Sequence, residues 1–363
     1  MTQSIHRLLA TAAAAFLAFS LHSGQARAAT GVETLYADLA KLPVEERMKK
    51  LIEGAAKEGS VTAAPAFRGK VGDGHVNLFK KRFPQLKVET TDMNTEAVVE
   101  RYIAEETAGK HLMDAIGVTT ADINIVLRKE LAAHYPTPAT TAVLPRYRNF
   151  LDPENRWTPW YWSEHGISYN AALLNKEEVP KSYEDFCAPA FKGQVSYEPG
   201  ETKWLVGMYL YFGEDKFNKW LDCVGKNQPV VMKGHDLRIQ LMFSGDHIVQ
   251  GDNFLYAGYS ASQKNPKKAP FGMALSTEAP VMARAGVTSI NPNTPHPYAA
   301  ALWTDWHLSE ESQKYIFGEF RGPLAIQHPF LGDDTPLFVF GVVPEEINAK
   351  VNDSWKKYVG SKR

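Results

Sequence analysis

The residues in this chain best suited to chemistry are few, and most have two readings. Arg68 lies in the Gly-rich stretch 67–74 that follows a short apolar segment. A guanidinium there can clamp a carboxylate or phosphonate through two parallel hydrogen bonds, or it is a surface Arg in a polar loop. Thr119 and Thr120 precede a helical pattern, where their hydroxyls serve an anion at the helix N-terminus or simply cap the helix. Glu201 and Thr202 follow the turn Glu198-Pro199-Gly200, which frees backbone N–H groups for a ligand. No G-x-S-x-G elbow, H-E-x-x-H, P-loop or dinucleotide fingerprint occurs. The histidines are scattered, without a pair at helical i, i+4 spacing that would suggest a metal site. A secreted hydrolase therefore has no motif behind it, and the expectation is a protein that is not an enzyme and carries no cofactor.

The elements that must position these residues alternate. A helical stripe at Val44, Met48, Leu51, Ile52 and Ala55 ends at Gly59, a strand follows at 60–64, and a polar loop leads to a helix at 75–82. The order repeats: strand 86–91, helix 96–108, strand 114–118, helix 122–131. The aromatic stretch 157–170 reads as a crossing between two lobes, with a strand-like exit at 166–169. A second series has strands at 194–197, 229–232 and 248–256, interleaved with helices at 202–212, 215–224 and 236–243. Alternation resumes at 281–290, and helices at 298–308 and 310–317 follow. Such alternation predicts an α/β layer with a mostly parallel sheet.

The chain has 363 residues, 44% of them hydrophobic, enough for a large core in about two domains. Residues 1–28 read as a cleavable secretory signal: a short N-terminal stretch ends at Arg7, an apolar run covers 8–21, and Ala26-Arg27-Ala28 fits a signal peptidase. That run is shorter than the roughly 18 residues a membrane-spanning helix needs, so the mature protein is expected to be soluble and periplasmic. Cleavage removes two Arg and no acid, taking the formal net charge from -1 to -3. Neither value provides a field for nucleic acid or an anionic membrane. Export places Cys187 and Cys223, the two cysteines, in an oxidising compartment where a bridge persists, unless they are two small buried hydrophobes.

Several phrases, in order, resemble bacterial extracellular solute-binding proteins of ABC importers, in the branch that includes ferric-iron, polyamine, thiamine and phosphonate binders. They are AAKEGSV (55–61), LFKKRFPQLKVE (78–89), IAEETAGKHLMDAI (103–116), GISYNAALL (166–174), VPKSYEDFCAPAFKGQV (179–195) and TPHPYAAALWTDWHLSEESQKYI (294–316). The resemblance implies a two-lobe α/β fold of the type II periplasmic-binding-protein kind, with lobe one at 33–165 plus 281–363 and lobe two at 166–280. A small polar or anionic organic solute would sit in the cleft and be delivered to a membrane permease, and a monomer is the simplest state for a receptor that hinges.

In open α/β sheets ligands sit beyond the carboxyl ends of strands, which selects Phe67, Arg68, Thr119, Thr120, Glu201, Thr202 and Trp204. The crossing and return segments add Trp162, Tyr169, Asn253, Tyr256 and Tyr259. Ferric-binding members commonly use adjacent tyrosines as phenolate ligands. Here Ala257 and Gly258 separate Tyr256 from Tyr259, so that motif is absent and iron is the alternative cargo.

Overall fold

A computed structural model describes residues 29–199 and 202–360, apart from the side chain of Thr202. The expected signal segment 1–28 and Glu201 lie outside the described residues. The chain begins with α1 (Gly31–Leu39), α2 (Val44–Glu58), β1 (Ser60–Ala64), α3 (Gly69–Arg82), β2 (Lys87–Thr90), α4 (Thr95–Thr107), β3 (Ala115–Thr119) and α5 (Ile123–Arg128). A long strand, β4 (Thr158–Asn170), then leads into β5 (Val195–Tyr197), α6 (Thr202–Phe212), α7 (Glu214–Lys226), β6 (Val230–Val231), α8 (His235–Ser244), β7 (Val249–Phe254), α9 (Leu255–Lys264) and β8 (Phe271–Ala274). The second long strand, β9 (Val281–Ile290), returns to α10 (Pro297–Trp306), α11 (Glu310–Gly318) and β10 (Gly322–Pro323), before β11 (Leu337–Val339) and α12 (Glu345–Trp355) close the chain.

One mixed sheet runs in the order β2-β1-β3-β9-β4-β7-β5-β6. β1 pairs in parallel with β2 and β3, and β5 pairs in parallel with β6 and β7, as strand-helix alternation requires. Between these two parallel sets lie β4 and β9, antiparallel to each other over seven register pairs from Thr158↔Thr288 to His165↔Met282. These two strands are the crossing segments, and both are buried almost throughout.

The cores follow the same division. One cluster packs Val98, Ile116, Val126, Trp160, Val287 and Leu324, and another packs Leu51, Phe79, Ala115, Leu302 and Trp303, both within lobe one. A third packs Ile167, Tyr183, Trp204, Phe217, Trp220 and Val249 in lobe two. Phe340, Val351, Trp355 and Val359 join that third cluster, whereas Val339 and Val342 pack against the first. Val351 and Trp355 are spaced i, i+4, which places both on the face of α12 that meets α6 and α7.

Three local readings change. The stretch 67–74 is helical from Gly69, because its glycines serve close approach: a Cβ on Gly72 would lie 2.4 Å from the Phe67 carbonyl oxygen, and one on Gly74 would lie 2.2 Å from the Tyr315 hydroxyl. The strand expected at 248–256 ends at Phe254, and Tyr256 and Tyr259 stand on α9. The exit strand at 166–169 is the end of a strand that starts at Thr158. Cys187 and Cys223 are bonded, with Cα atoms 5.5 Å apart, tying the short turn at Tyr183–Cys187 to α7. Among the described residues, no helix is long and apolar enough to cross a membrane.

Candidate functional site

The floor of the candidate site is made by the crossing strands. Tyr161, Ser163 and His165 alternate along one face of β4, and Arg284 of β9 lies in register with Ser163. Tyr161 sits opposite Gly286, where an added Cβ would lie 1.7 Å from the tyrosine ring, so the glycine leaves the space that the ring fills. Phe67, from the turn after β1, stands at 4.4 Å from the Tyr161 ring and at 4.8 Å from Trp160. Arg321, between α11 and β10, extends over the Phe67 ring at 5.4 Å and over the Tyr256 ring at 3.7 Å. Tyr256 comes from lobe two, on the first turn of α9, and its backbone N–H donates to Oε1 of the buried Glu164 at 3.0 Å. Phe254 continues the wall, 4.1 Å from the His165 ring and 4.9 Å from His235.

Both cations and carboxylates surround this floor, with Arg284 and Arg321 near Tyr161 and the buried Glu164 next to His165. His165 is held well below its ordinary pKa, first by burial and then by Arg284, His235, Arg238 and Lys203. Burial pushes the Tyr161 hydroxyl up to about 12, against the pull of Arg321 and Arg284. Tyr256 is also raised by burial, and Arg321 offsets part of that. Arg238 is matched by Asp252, with which it forms a buried ion pair. The Nε of Arg321 is buried and has no hydrogen-bond partner, so the guanidinium has capacity for an acceptor.

A cavity of about 560 Å³ opens beside Arg321 and Tyr256. Lobe one contributes Val71, Glu319 and Arg321 to its wall, and lobe two contributes Asp236, Gln240, Tyr256, Ser260 and Lys264. The volume suits a small molecule. A larger cavity of about 910 Å³ lies between the C-terminal end of α7 and residues 355–360. It is walled by lobe-two packing elements alone and touches none of the floor.

The residues named from the sequence divide into those at the cleft and those in the cores. Phe67 and Tyr256 are in the aromatic wall. Thr119 and Thr120 lie at its edge: the Thr119 hydroxyl donates to Asp122 at 2.6 Å, and the Thr120 backbone N–H donates to the Ala285 carbonyl. Arg68 is 58% exposed on the rim, with Nε 3.4 Å from Asp92, and does not join the buried cations. Trp162 packs on Tyr147 and His328 in the lobe-one core, and Trp204 packs among Tyr183, Tyr197 and Trp220 in the lobe-two core. Tyr169 covers Gly272 at the far end of β4. Asn253 is buried in a network with His235 and Gln250. Tyr259 stacks on Phe330 at 4.3 Å. Thr202 begins α6, and Glu201 is not among the described residues.

Tyr161, His165, Arg284, Arg321 and Lys203 were not singled out by sequence. Arg284 carried a signal, since it is the one charged residue in a ten-residue strand otherwise made of apolar and small residues. Lys203 reaches across the cleft to Glu96 at 2.6 Å and to Asp122 at 3.0 Å. Burial alone would raise both acids; Lys203 reverses this at Glu96, and Lys203 with the Thr119 and Thr95 hydroxyls reverses it at Asp122, leaving both below the usual carboxylate range. Among the described residues, no group of three or more His, Cys, Asp or Glu is disposed to hold a metal.

The family model described as bacterial extracellular solute-binding protein matches residues 126–336, more than half of the chain, and the chain belongs to that family. Among solved structures, iron-bound HitA from Pseudomonas aeruginosa superposes with a TM-score of 0.69 at 14% identity, covering 82% of this chain and 99% of that one. The IdiA (FutA) protein of Trichodesmium, in complex with iron and citrate, gives 0.70 at 14% identity over 83% and 99%. The substrate-binding protein of an ABC transporter from Agrobacterium tumefaciens gives 0.67 at 12% identity over 84% and 96%. These likenesses establish the type II periplasmic-binding-protein fold with a cleft between two lobes. A search of curated protein sequences gives no match.

Proposed function

We propose that the protein is a periplasmic receptor that captures a small anionic organic solute between its lobes and delivers it to an ABC permease. The observation that carries this reading is the joint of Arg321 and Tyr256: a guanidinium from lobe one stacked on a ring from lobe two, both lining an organic-sized cavity. An anionic group would accept from guanidinium N–H donors through charge-assisted hydrogen bonds, the stronger kind. Phe67, Tyr161 and Tyr256 supply an apolar wall for the rest of the molecule. The two lobes would rotate about β4 and β9. Solute touching both lobes favours the closed state by its differential affinity for it, and the permease would read closure.

Calorimetry with a panel of organic carboxylates, phosphates and phosphonates against matched neutral and cationic solutes tests this reading. Tight binding of an anion supports it, and tight binding confined to neutral or cationic solutes overturns it.

Ferric iron is the second reading, favoured by the iron named for two of the structural neighbours above. It would use Tyr256 and Tyr259 as phenolate ligands. The arrangement supports it less, because Tyr256 faces a guanidinium and Tyr259 stacks on Phe330. Iron loading that produces a tyrosinate charge-transfer colour, lost in Tyr256→Phe, would establish it.

A further inference from the structure

We infer that the solute is an organic anion that also carries a protonated nitrogen, because the cavity beside Arg321 presents bases and acids in equal number. Arg321 and Lys264 bring positive charge to its wall, and Asp236 and Glu319 bring negative charge. Among the described residues, none of the four takes part in an ion pair, so these opposite charges do not neutralise one another. Three of them have a local reason for their place. Asp236 is in the first turn of α8 and Lys264 is in the last turn of α9, the ends at which helix dipoles favour an acid and a base. Arg321 is stacked on Tyr256. Glu319 has no such reason: it follows the last residue of α11, where the dipole disfavours a carboxylate, and it is partly buried. A cation supplied by the solute would offset that cost. The charges are also divided between the lobes, Glu319 and Arg321 from lobe one and Asp236 and Lys264 from lobe two. Each lobe thus carries one partner for an anionic group and one for an ammonium, whatever the distance between the lobes. As the lobes close on a wholly anionic solute, both carboxylates approach like charge, which is unfavourable in a partly desolvated cleft. A solute bearing both charges turns that approach into attraction and so favours closure by its own binding.

This class of solute is narrower than that of the anion-receptor reading on which it rests, and the solute released by denaturing protein from its native periplasm separates the two. Its elemental formula and fragmentation in mass spectrometry should show a basic nitrogen together with the acid group. A stoichiometric organic anion without a basic nitrogen overturns the proposal and leaves the receptor reading standing. Release of no organic anion is a failure of the receptor reading, and the proposal falls with it. Calorimetry on protein refolded from urea with its disulfide intact, and so freed of that solute, uses matched probes. These are 4-aminobutyrate against butyrate, 3-aminopropanesulfonate against propanesulfonate, and 3-aminopropylphosphonate against propylphosphonate. In whichever pair binds, wild type should hold the aminated member about ten times more tightly, the scale of a charge-assisted hydrogen bond. Asp236→Asn together with Glu319→Gln should bring the two members within about twofold of each other. A thermal melt like that of wild type establishes that the double variant is folded. If it melts early, Asp236→Asn alone, at an exposed position, should lower the preference about threefold. A wild type that prefers the plain anion overturns the proposal, as does a folded double variant that keeps the full preference.

Discussion

The guanidinium of Arg321 lies 3.7 Å above the ring of Tyr256, joining the two lobes at the mouth of their shared cavity. Removing that cation should weaken anion binding without unfolding the chain. Arg321→Ala should cost about 1.5–3 kcal/mol, a tenfold to hundredfold loss of affinity by calorimetry. Arg68→Ala, at the exposed rim beside Asp92, should cost less than about 1 kcal/mol. The reverse ranking would return the anion clamp to Arg68.

The place of Tyr161 depends on the glycine across from it. Because a Cβ at position 286 would overlap the Tyr161 ring at 1.7 Å, Gly286→Ala must displace the ring or the strand. We expect a loss of about 1–3 kcal/mol in urea unfolding together with weaker solute binding. Gly318→Ala, where nothing lies within 4 Å, is the matched control and should change neither by more than about 0.5 kcal/mol.

Acid should destabilise the fold through buried imidazoles. Burial lowers His75 from 6.5 to about 3, and its ring is packed parallel to Trp160 with a hydrogen bond to Ser312. Its pKa is depressed in the folded state, so its contribution is fully present above pH 6.5 and is lost as pH falls from there toward 3. The slope is at most about 1.4 kcal/mol per pH unit. Unfolding measured from pH 7 to 4 should be steeper for wild type than for a folded His75→Gln. Equal slopes would mean that His75 is protonated without cost.

The disulfide should matter to lobe two. In the chain-entropy model, a bridge between residues 36 apart stabilises by about 3–4 kcal/mol. Cys187→Ala with Cys223→Ala should lower unfolding stability by about that amount, and a loss below about 1 kcal/mol would show that the short turn at Tyr183–Cys187 is held by Phe186 and the Asn227 side chain without it.

Strand-helix alternation made the two parallel sets legible, because period-2 and period-3.6 patterns are local. The crossing at 157–170 was also legible as a dense aromatic run, although the register that places Tyr161 on Gly286 was not. Tyr256 was misread as strand because apolar residues flank the polar centre of 248–256 on both sides, at Ile248 and Val249 and again at Phe254 and Leu255, and no side chain caps the helix that starts at Leu255. Its cap is remote: Glu164, 92 residues earlier, accepts from the Tyr256 amide. Arg321 could not be tied to Tyr256 for the same reason, since cation and ring meet only when the lobes do. The tryptophans misled in the other direction, because ring size reports a need for burial and cannot distinguish a cleft wall from a core.

The cargo is identified most directly by mass spectrometry of small molecules released by denaturing the protein purified from its native periplasm, with metal analysis of the same sample. A receptor for an organic anion should release one in stoichiometric amount. Stoichiometric iron with no organic anion would contradict that reading and make Tyr256 and Tyr259 the residues to examine as metal ligands.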